Sequence, residues 1–204
     1  MSRRVSARTD MDIARRLMVS PLFKGMSVED VDKCFTCSGA LCVTYRKGEM
    51  IFTEEDEPNK LHILLEGGVR VGYDSFDGNR RVIGTFSSTG DIFGDILLFL
   101  GKKEYGVFAQ ATCETRIVVL PRDFMTGTCV NGCDYHKQLT SNLLMIFAGN
   151  AYALNMRLRI LSCPTLRQKI AKMLSIYNDR DMTKPIDMTR EELAEFLGVT
   201  RPSI

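Results

Sequence analysis

Histidine is scarce in this sequence, and long hydrophobic runs are missing. Only two histidines, His62 and His136, occur in 204 residues. An enzyme of cupin-like shape needs clustered histidine and carboxylate ligands inside its barrel, so this class is excluded and no enzymatic activity is expected. The most apolar windows, residues 96–100 and 143–154, fall well short of the roughly 20 residues that a membrane helix requires. We therefore expect no membrane span.

An apolar segment typical of secretion is also missing, because the N-terminal arginines are not followed by a hydrophobic stretch. The seven cysteines form no even, regular framework, and we expect reduced thiols in a cytoplasmic protein. The net charge is only +2, but residues 157–204 carry nine Lys/Arg against six Asp/Glu. A basic C-terminal end suits a polyanionic partner, although ordinary solvated faces explain the same charges.

Strand-like runs fill the region from Leu41 to Leu120, where apolar residues recur in runs of four to seven residues. Turn residues separate the runs, and Asp77-Gly78 is a typical tight-turn pair. Regular short strands of this kind predict an antiparallel sandwich or barrel. The window Asp95–Leu100 interrupts the pattern and predicts a short embedded helix. The runs are centred on Val43/Tyr45, Met50/Phe52, Leu61/Ile63/Leu65, Val69/Val71/Tyr73, Val82/Ile83 and Ile117/Val119.

Two helices are predicted ahead of these strands. The first is short and amphipathic and lies within residues 1–19. The second runs from Val28 to about Thr36, with Ser27 as its N-cap and Asp30 three residues later.

One long helix is predicted from Tyr135 to Leu161, a stretch with no proline and a single glycine. Its apolar residues recur at three- and four-residue steps, which is helical spacing. At about 1.5 Å per residue the helix would be about 40 Å long, more than one small domain needs. We interpret it as a connection between two domains and as a dimerisation surface. The predicted dimerisation residues are Leu143, Ile146, Phe147, Asn150, Leu154, Leu158 and Leu161.

The C-terminal stretch has the punctuation of two helices joined by a tight turn. Thr189 and Glu192 form a capping box, and Gly198 stands where a helix ends in a left-handed residue. Thr200 can cap a second helix that begins at Arg201-Pro202, where proline is tolerated. This arrangement predicts a helix-turn-helix that reads DNA, although a plain helical hairpin has the same outline.

The order of these parts resembles the cyclic-AMP receptor/fumarate-nitrate regulator (CRP/FNR) family of bacterial transcription factors. The similarity extends from about residue 20 to the C-terminus. Its motifs are Pro21-Leu22-Phe23, Lys47-Gly48-Glu49, Leu64-Leu65-Glu66-Gly67, Val69-Arg70-Val71, Gly90-Asp91-Ile92-Phe93-Gly94-Asp95 and the tail from Thr189 to Ser203.

The resemblance implies an α+β fold in three parts. An antiparallel β-roll of the cyclic-nucleotide-binding, jelly-roll type with its N-terminal helices occupies residues 1–132. A long dimerisation helix follows at 133–162, and a winged helix-turn-helix at 163–204. This last part is incomplete, because the sequence stops at Ile204, four residues into the second helix. We therefore expect these 204 residues alone to bind DNA weakly and without useful specificity.

The resemblance also implies roles in DNA binding. Thr189 and Arg190 fall where the family contacts phosphates, and Arg201 falls where it reaches a guanine edge. A helix N-terminus suits a phosphate, and an arginine fork matches the two guanine acceptors. Thr200 and Ser203 complete the predicted DNA-binding set. An exposed salt bridge is the alternative role for Arg190.

Family members that bind cyclic AMP carry Gly-Glu followed about ten residues later by Arg-Ser or Arg-Thr, and the arginine pairs with the cyclic phosphate. The matching positions here are Gly94-Asp95 and Tyr105-Gly106, so the arginine is missing. Lys102 and Lys103 lie nearby but offer no planar fork. We therefore expect an effector other than cyclic AMP, or none. The predicted effector-binding residues are Gly94, Asp95, Ile96, Tyr105, Gly106, Asn150 and Leu154.

A redox signal is the second possibility, because Cys34, Cys37 and Cys42 have a spacing similar to iron–sulfur ligands, with Cys113 as a fourth. In the oxygen-sensing branch, however, the clustered cysteines precede the equivalent of Pro21-Leu22-Phe23. Buried structural thiols are favoured, and we predict no metal. Iron–sulfur and haem stay open as alternatives.

These inferences predict a homodimeric transcription regulator that binds an operator in double-stranded DNA. A small-molecule or redox signal in the β-roll would control it, and RNA polymerase is a candidate partner. The rival hypothesis is a ligand-binding regulatory module that acts on a partner protein rather than on DNA.

Overall fold

The computed structural model describes residues 6–75, 78–126, 134–178 and 188–203. Their contacts divide the chain into two compact units, Met1–Leu143 and Leu144–Ile204. The boundary therefore falls inside the long helix, whereas the sequence placed a boundary ahead of it, at residue 132. Among the described residues, no helix is long and apolar enough to cross a membrane.

The first unit is an antiparallel roll built from two sheets. One sheet has the strand order β1-β2-β9-β4-β7 and the other β3-β8-β5-β6. The strands are β1 Ser6–Arg8, β2 Leu41–Tyr45, β3 Met50–Phe52, β4 Lys60–Glu66, β5 Val69–Asp74, β6 Arg80–Phe86, β7 Ile92–Phe93, β8 Phe108–Ala111 and β9 Thr115–Pro121.

The helices are α1 Met11–Leu17, α2 Val28–Ser38, α3 Arg122–Thr126, α4 Asp134–Leu161, α5 Leu166–Asn178 and α6 Arg190–Leu197. Two 3₁₀ turns add Pro21–Phe23 and Arg201–Ser203. The predicted α2 is confirmed together with its capping box, in which the Ser27 hydroxyl accepts from the Asp30 N–H at 3.1 Å. The predicted long helix is confirmed from Asp134 to Leu161.

The core of the roll lies between its two sheets. Burial of these side chains supplies most of the stabilisation of such a sandwich. The cluster consists of Tyr45, Ile51, Phe52, Leu64, Val69, Val71, Phe93, Tyr105, Ala109, Ala111 and Ile117.

The first turns of α4 are held on the N-terminal segment of the same unit by a buried asparagine. Asn142 is 7% exposed, and its amide donates to the carbonyls of Leu22 and Lys24, both at 2.8 Å. Gln138 in turn donates to the Asn142 side-chain oxygen at 3.0 Å. A buried amide must satisfy its donors, so these bonds fix where α4 begins its course. This explains why the unit boundary lies at Leu143 rather than before the helix.

The second unit has a much smaller core. Ile160, Met173 and Leu197 are its buried side chains, contributed by α4, α5 and α6. The Lys169 ammonium donates to the carbonyl of Leu197 at 2.9 Å and so satisfies an acceptor at the end of α6. Residues 179–187, between α5 and α6, lie outside the described residues.

Candidate functional site

The segment Gly94–Gly106, which carries most of the predicted effector-binding residues, follows the short strand β7. At its far end, the Tyr105 N–H donates to the Asp56 carbonyl at 3.0 Å and the Gly106 N–H to the Glu54 carbonyl at 2.8 Å. Backbone bonds at this end therefore hold the segment against the loop between β3 and β4.

Gly94 has no room for a side chain. Its φ is +71°, a conformation that favours glycine, and a Cβ there would lie 3.2 Å from the Phe52 ring and 3.3 Å from Nδ1 of His62. The backbone thus runs directly over these two aromatic side chains. Glycine at this position is required by the roll itself, with or without an effector.

Asp95 lies inside the protein rather than at its surface. It is 7% exposed, and burial raises the pKa of its carboxyl, although the backbone N–H groups of Asp95 and Ile96 oppose the rise. The predicted helix Asp95–Leu100 is wrong: the stretch forms turns with three-residue bonds, such as Leu98 N–H to the Asp95 carbonyl at 3.2 Å. Ile96 is 65% exposed and faces solvent.

Tyr105, which replaces the expected arginine, points into the roll. Its ring stacks on Phe52 with centroids 3.9 Å apart and planes 12° apart, and its hydroxyl donates to the Lys60 carbonyl at 3.4 Å. Burial, and then the Asp56 charge, raise the pKa of Tyr105 to about 12. The side chain is therefore a neutral part of the core at physiological pH.

A cavity of about 560 Å³ opens beside Tyr105, within the first unit. No local sequence pattern indicates this cavity, because its walls come from strands that are distant along the chain. Phe52 and His62 are functional candidates that no motif in the sequence indicated. The lining residues are Gly39, Leu41, Val43, Tyr45, Met50, Ile51, Phe52, Thr53, Asp56, Glu57, Asn59, Lys60, His62, Tyr105, Val119 and Pro121.

The predicted dimerisation residues on α4 differ in exposure. Leu143 is 5% exposed and is already buried in the single chain. Leu154 and Leu158 are 62% and 61% exposed, and Asn150 is exposed as well. Ile146, Phe147 and Leu161 are half-buried. The single chain thus leaves the later part of the predicted dimerisation surface open, while its first residue is covered.

The cysteines form no ligand set within the described ranges. Cys34 and Cys42 are buried, whereas Cys37 and Cys113 are exposed. No three His, Cys, Asp or Glu side chains in the described parts of the chain are placed to hold a metal ion. The alternative of a cluster on Cys34, Cys37, Cys42 and Cys113 therefore finds no assembled site. Burial, and then the neighbouring Cys37, raise the pKa of Cys34 to about 12, which keeps it an unreactive thiol.

The predicted DNA-binding residues lie around α6. The Thr189 hydroxyl accepts from the Glu192 N–H at 3.2 Å, which completes the predicted capping box. Arg190 and Thr200 are exposed. Arg201 makes a 2.8 Å ion pair with Glu191. Ser203 belongs to the 3₁₀ turn, and its side chain lies outside the described atoms.

Gly198 ends α6 in the predicted left-handed conformation, with a φ of +63°. Its N–H bonds to the carbonyls of Ala194 and Glu195, and the Val199 N–H donates to the Ala194 carbonyl at 3.0 Å. The chain then turns into Arg201–Ser203. A capped helix, a glycine turn and the start of another helical turn therefore follow one another as the sequence predicts.

Known proteins resemble this chain in sequence and fold. The cyclic nucleotide-binding domain matches residues 42–130, which cover the roll from β2 to α3. A CRP-like cAMP-activated global transcriptional regulator of Mycobacterium tuberculosis is 24% identical over 170 residues, 79% of this chain and 73% of the relative. The nitrogen fixation regulation protein FixK of Rhizobium meliloti is 25% identical over 163 residues, 78% of this chain and 70% of FixK.

These matches extend beyond the roll into the helical unit. The chain thus contains a cyclic nucleotide-binding domain and is similar to CRP-like regulators and FixK over most of its length. The crystal structure of the Thermus thermophilus catabolite activator protein has the same fold, with a TM-score of 0.59 and 23% identity over 90% of this chain and 83% of that one. The Gly94–Gly106 segment is present in this chain, but the buried Tyr105 stands where the resemblance calls for a phosphate-pairing arginine.

Proposed function

We propose that this protein is a homodimeric DNA-binding transcription regulator of the CRP/FNR type, whose roll senses a small molecule other than cyclic AMP. Its curated relatives are named as regulators, which supports a regulatory rather than an enzymatic role. The observation that carries the proposal is the capped helix and glycine turn from Thr189 to Ser203, which has the outline of a helix-turn-helix.

This helix-turn-helix outline is suited to contact both the phosphates and the bases of a DNA duplex. The amides at the N-terminus of α6 and the exposed Arg190 favour a phosphate nearby. Arg201, whose side chain is 69% exposed, can present its two-donor fork to a guanine. To reach a base it must leave Glu191, whose side chain is 57% exposed. An ion pair between exposed side chains costs little to break, so Glu191 does not block the contact.

In a homodimer, the second copy supplies a second helix-turn-helix for the DNA. Leu154 and Leu158 are four residues apart, so they lie on the same side of α4, and more than half of each side chain is open to solvent. A second copy that covers them would remove this apolar area from water. RNA polymerase is a further candidate partner if the output is activation.

An effector other than cyclic AMP follows from the inward Tyr105. No guanidinium occupies the predicted phosphate position, and the buried phenol there is neutral. Lys102 and Lys103 are exposed and lack the planar fork that pairs bidentately with a phosphate. The small molecule is preferred over a redox signal because the described cysteines form no ligand set.

Selection by the full-length protein from a random pool of DNA duplexes, followed by sequencing and fluorescence anisotropy at low salt, tests the proposal. We expect paired half-sites about one helical turn apart, as two-fold symmetry requires. Arg201→Ala should remove the preference at one base position, at a cost of about 1–3 kcal/mol. Arg190→Ala should weaken binding to all sequences equally. It should also lower the slope of log K against log salt concentration by about 1.

Arg46→Ala is the matched control, because this exposed arginine lies in the roll. It removes the same charge and should change neither the preference nor the slope. If no sequence is enriched, or if Arg46→Ala acts as strongly as Arg201→Ala, the proposal is wrong and a module that acts on a partner protein is favoured.

A further inference from the structure

We propose that the cavity inside the roll is a binding site for a small, neutral aromatic molecule that makes one hydrogen bond to His62. This inference rests on the small-molecule part of the proposed function and names the chemical class of the ligand. Because occupancy of the cavity is measured without DNA, its failure can be distinguished from a failure of DNA binding. Its volume of about 560 Å³ is in the range of small-molecule sites, roughly 300–1,000 Å³.

His62 provides the polar group. It is 4% exposed, and its Nδ1 makes no hydrogen bond with any described residue. A buried ring nitrogen without a partner costs free energy, so such a group is usually satisfied by a ligand or a water.

The aromatic side chains that line the cavity favour an aromatic ligand. Tyr45, Phe52 and Tyr105 line the cavity together with His62, and the rest of the lining combines apolar residues with the polar residues of the 53–60 loop. Phe52 already stacks on Tyr105 at 3.9 Å and lies 5.2 Å from the His62 ring. Aromatic rings prefer offset or edge contacts with further rings, so a planar ligand can extend this group of side chains.

The charges of the site argue for a neutral ligand. Burial, and then Lys60, lower the pKa of His62 to about 3, although a backbone contact with Phe93 opposes the shift. The imidazole is therefore neutral at physiological pH and offers no countercharge. The charged residues at the rim, Asp56, Glu57 and Lys60, are exposed and of both signs. A charged group inside the cavity would lose its hydration without gaining a partner.

The rim is ordered by its own hydrogen bonds. The Asp56 carboxylate accepts from the N–H and the hydroxyl of Thr53, at 2.6 and 2.9 Å. The Asp56 carbonyl also accepts from the Tyr105 N–H. A ligand in the cavity would contact both Tyr105 and this loop. Binding would therefore change the contacts at the end of the Gly94–Gly106 segment.

Indole and indene are suitable probes, because they are neutral and nearly the same shape but only indole carries an N–H group. The methyl signal of Met50, which lines the cavity, reports binding in protein labelled with ¹³C-methyl methionine. We expect a saturable shift with indole at a Kd below about 1 mM, which is modest for its size. Indene should bind about 3- to 10-fold more weakly, the value of one hydrogen bond.

Two variants separate the parts of the proposal. His62→Phe keeps an aromatic ring but removes the ring nitrogens. The affinity of the variant for indole should therefore fall to its affinity for indene, and its affinity for indene should not change. Val43→Phe fills the cavity from a half-buried position and should abolish the shift by both probes. Ile83→Ala, which changes an exposed side chain outside the lining, is the control and should leave both affinities unchanged.

Several results would overturn the proposal. One is the absence of a saturable Met50 shift up to several millimolar indole. Another is equal affinity of indole and indene, or a difference between them that His62→Phe preserves. Binding that persists in a folded Val43→Phe protein, as judged by its circular dichroism, would place the probe elsewhere and equally refute the assignment.

Discussion

The two units of this protein bury their apolar side chains to different degrees. The roll encloses Leu61, Ile63, Leu64 and Leu65 completely within a single chain. In the second unit, the part of α4 that it contains leaves large side chains open. The exposed fractions are 64% for Leu144, 71% for Met145, 54% for Tyr152, 62% for Leu154 and 61% for Leu158. The roll buries its apolar side chains within a single chain, whereas this stretch of helix leaves large apolar side chains exposed to water unless another protein surface covers them.

The sequence of α4 supports this contrast. No charged residue lies between Lys137 and Arg157. A helix with one solvated side normally carries charged residues on it, and a helix that is apolar around most of its surface is typically buried. Exposed apolar patches of this kind mark interaction sites. The difference between the units therefore favours a second protein surface over α4, which is the role that we propose for a second copy.

The largest expected effect comes from placing a charge in this open region. Leu154→Glu is present in both copies of the proposed dimer. The loss of a buried leucine costs about 1.5–3 kcal/mol in each copy. We expect the dimer dissociation constant to rise at least about 100-fold. Sedimentation velocity over a concentration series measures it.

Asn155→Glu is the matched control for that substitution. It places the same side chain one residue further on, about 100° around the helix, at another exposed position. The control should retain the dimer. Equal dissociation by both variants, or a monomeric unmodified protein, would contradict a dimer surface on the Leu154 side of α4.

A slightly smaller effect is expected in the roll, and it should not depend on protein concentration. Leu64 is completely buried between the sheets. Leu64→Ala should lower the free energy of unfolding by about 2–5 kcal/mol, because it leaves a cavity in a packed core. Urea denaturation followed by circular dichroism measures the change. Leu174→Ala in the second unit, where the side chain is 42% exposed, should cost less than about 1 kcal/mol.

The two capping boxes allow the same change to be made once in each unit. Ser27→Ala and Thr189→Ala should each cost about 1 kcal/mol of helix stability. The consequences should differ, because α2 buries Val31, Cys34 and Phe35 in the roll, whereas α6 belongs to the small second core. We expect Ser27→Ala to lower global stability and Thr189→Ala to increase local opening of α6. Amide hydrogen exchange separates the two, and global loss from Thr189→Ala would show that α6 is part of a larger cooperative unit.

The cap of α6 also predicts a pH dependence. The Thr189 N–H, and then its hydroxyl, lower the pKa of Glu192. A carboxyl whose pKa is lowered by folding stabilises the folded state above its ordinary pKa. That contribution is lost as the pH falls through the lowered value. Exchange protection of α6 should therefore decrease in acid, and Glu192→Gln should remove this dependence.

Local patterns predicted most of the fold. Both capping boxes, the left-handed Gly198 and the limits of α4 depend on residues that are close in sequence. The strands β7 and β8 were missed, because β7 has two residues and the β8 sequence Phe-Ala-Gln-Ala shows no alternation of large apolar side chains. Pairing with β4 and β5 defines them instead.

The candidate site was less predictable than the fold. The sequence identified Gly94, Asp95 and Tyr105 by position, but the inward direction of Tyr105 depends on its stacking with Phe52, more than fifty residues earlier. The same holds for the cavity, whose walls come from β2, β3, β4 and β9. Contacts between distant parts of the chain decide which way a side chain points, and no local pattern encodes them.

The smallest expected effect concerns Asp95, a buried carboxyl in the roll. Burial raises its folded pKa above the ordinary value, so the folded state holds its proton more tightly than the unfolded state. Stability should then fall as the pH rises from the ordinary pKa through the raised one. Asp95→Asn keeps an oxygen for the Ile96 N–H but has no charge to bury, so it should be more stable than the unmodified protein at neutral pH. The advantage should vanish in acid, where both side chains are uncharged. Thermal unfolding of the two proteins between pH 4 and 8 measures this, and an advantage that is constant with pH would mean that packing, not charge, separates them.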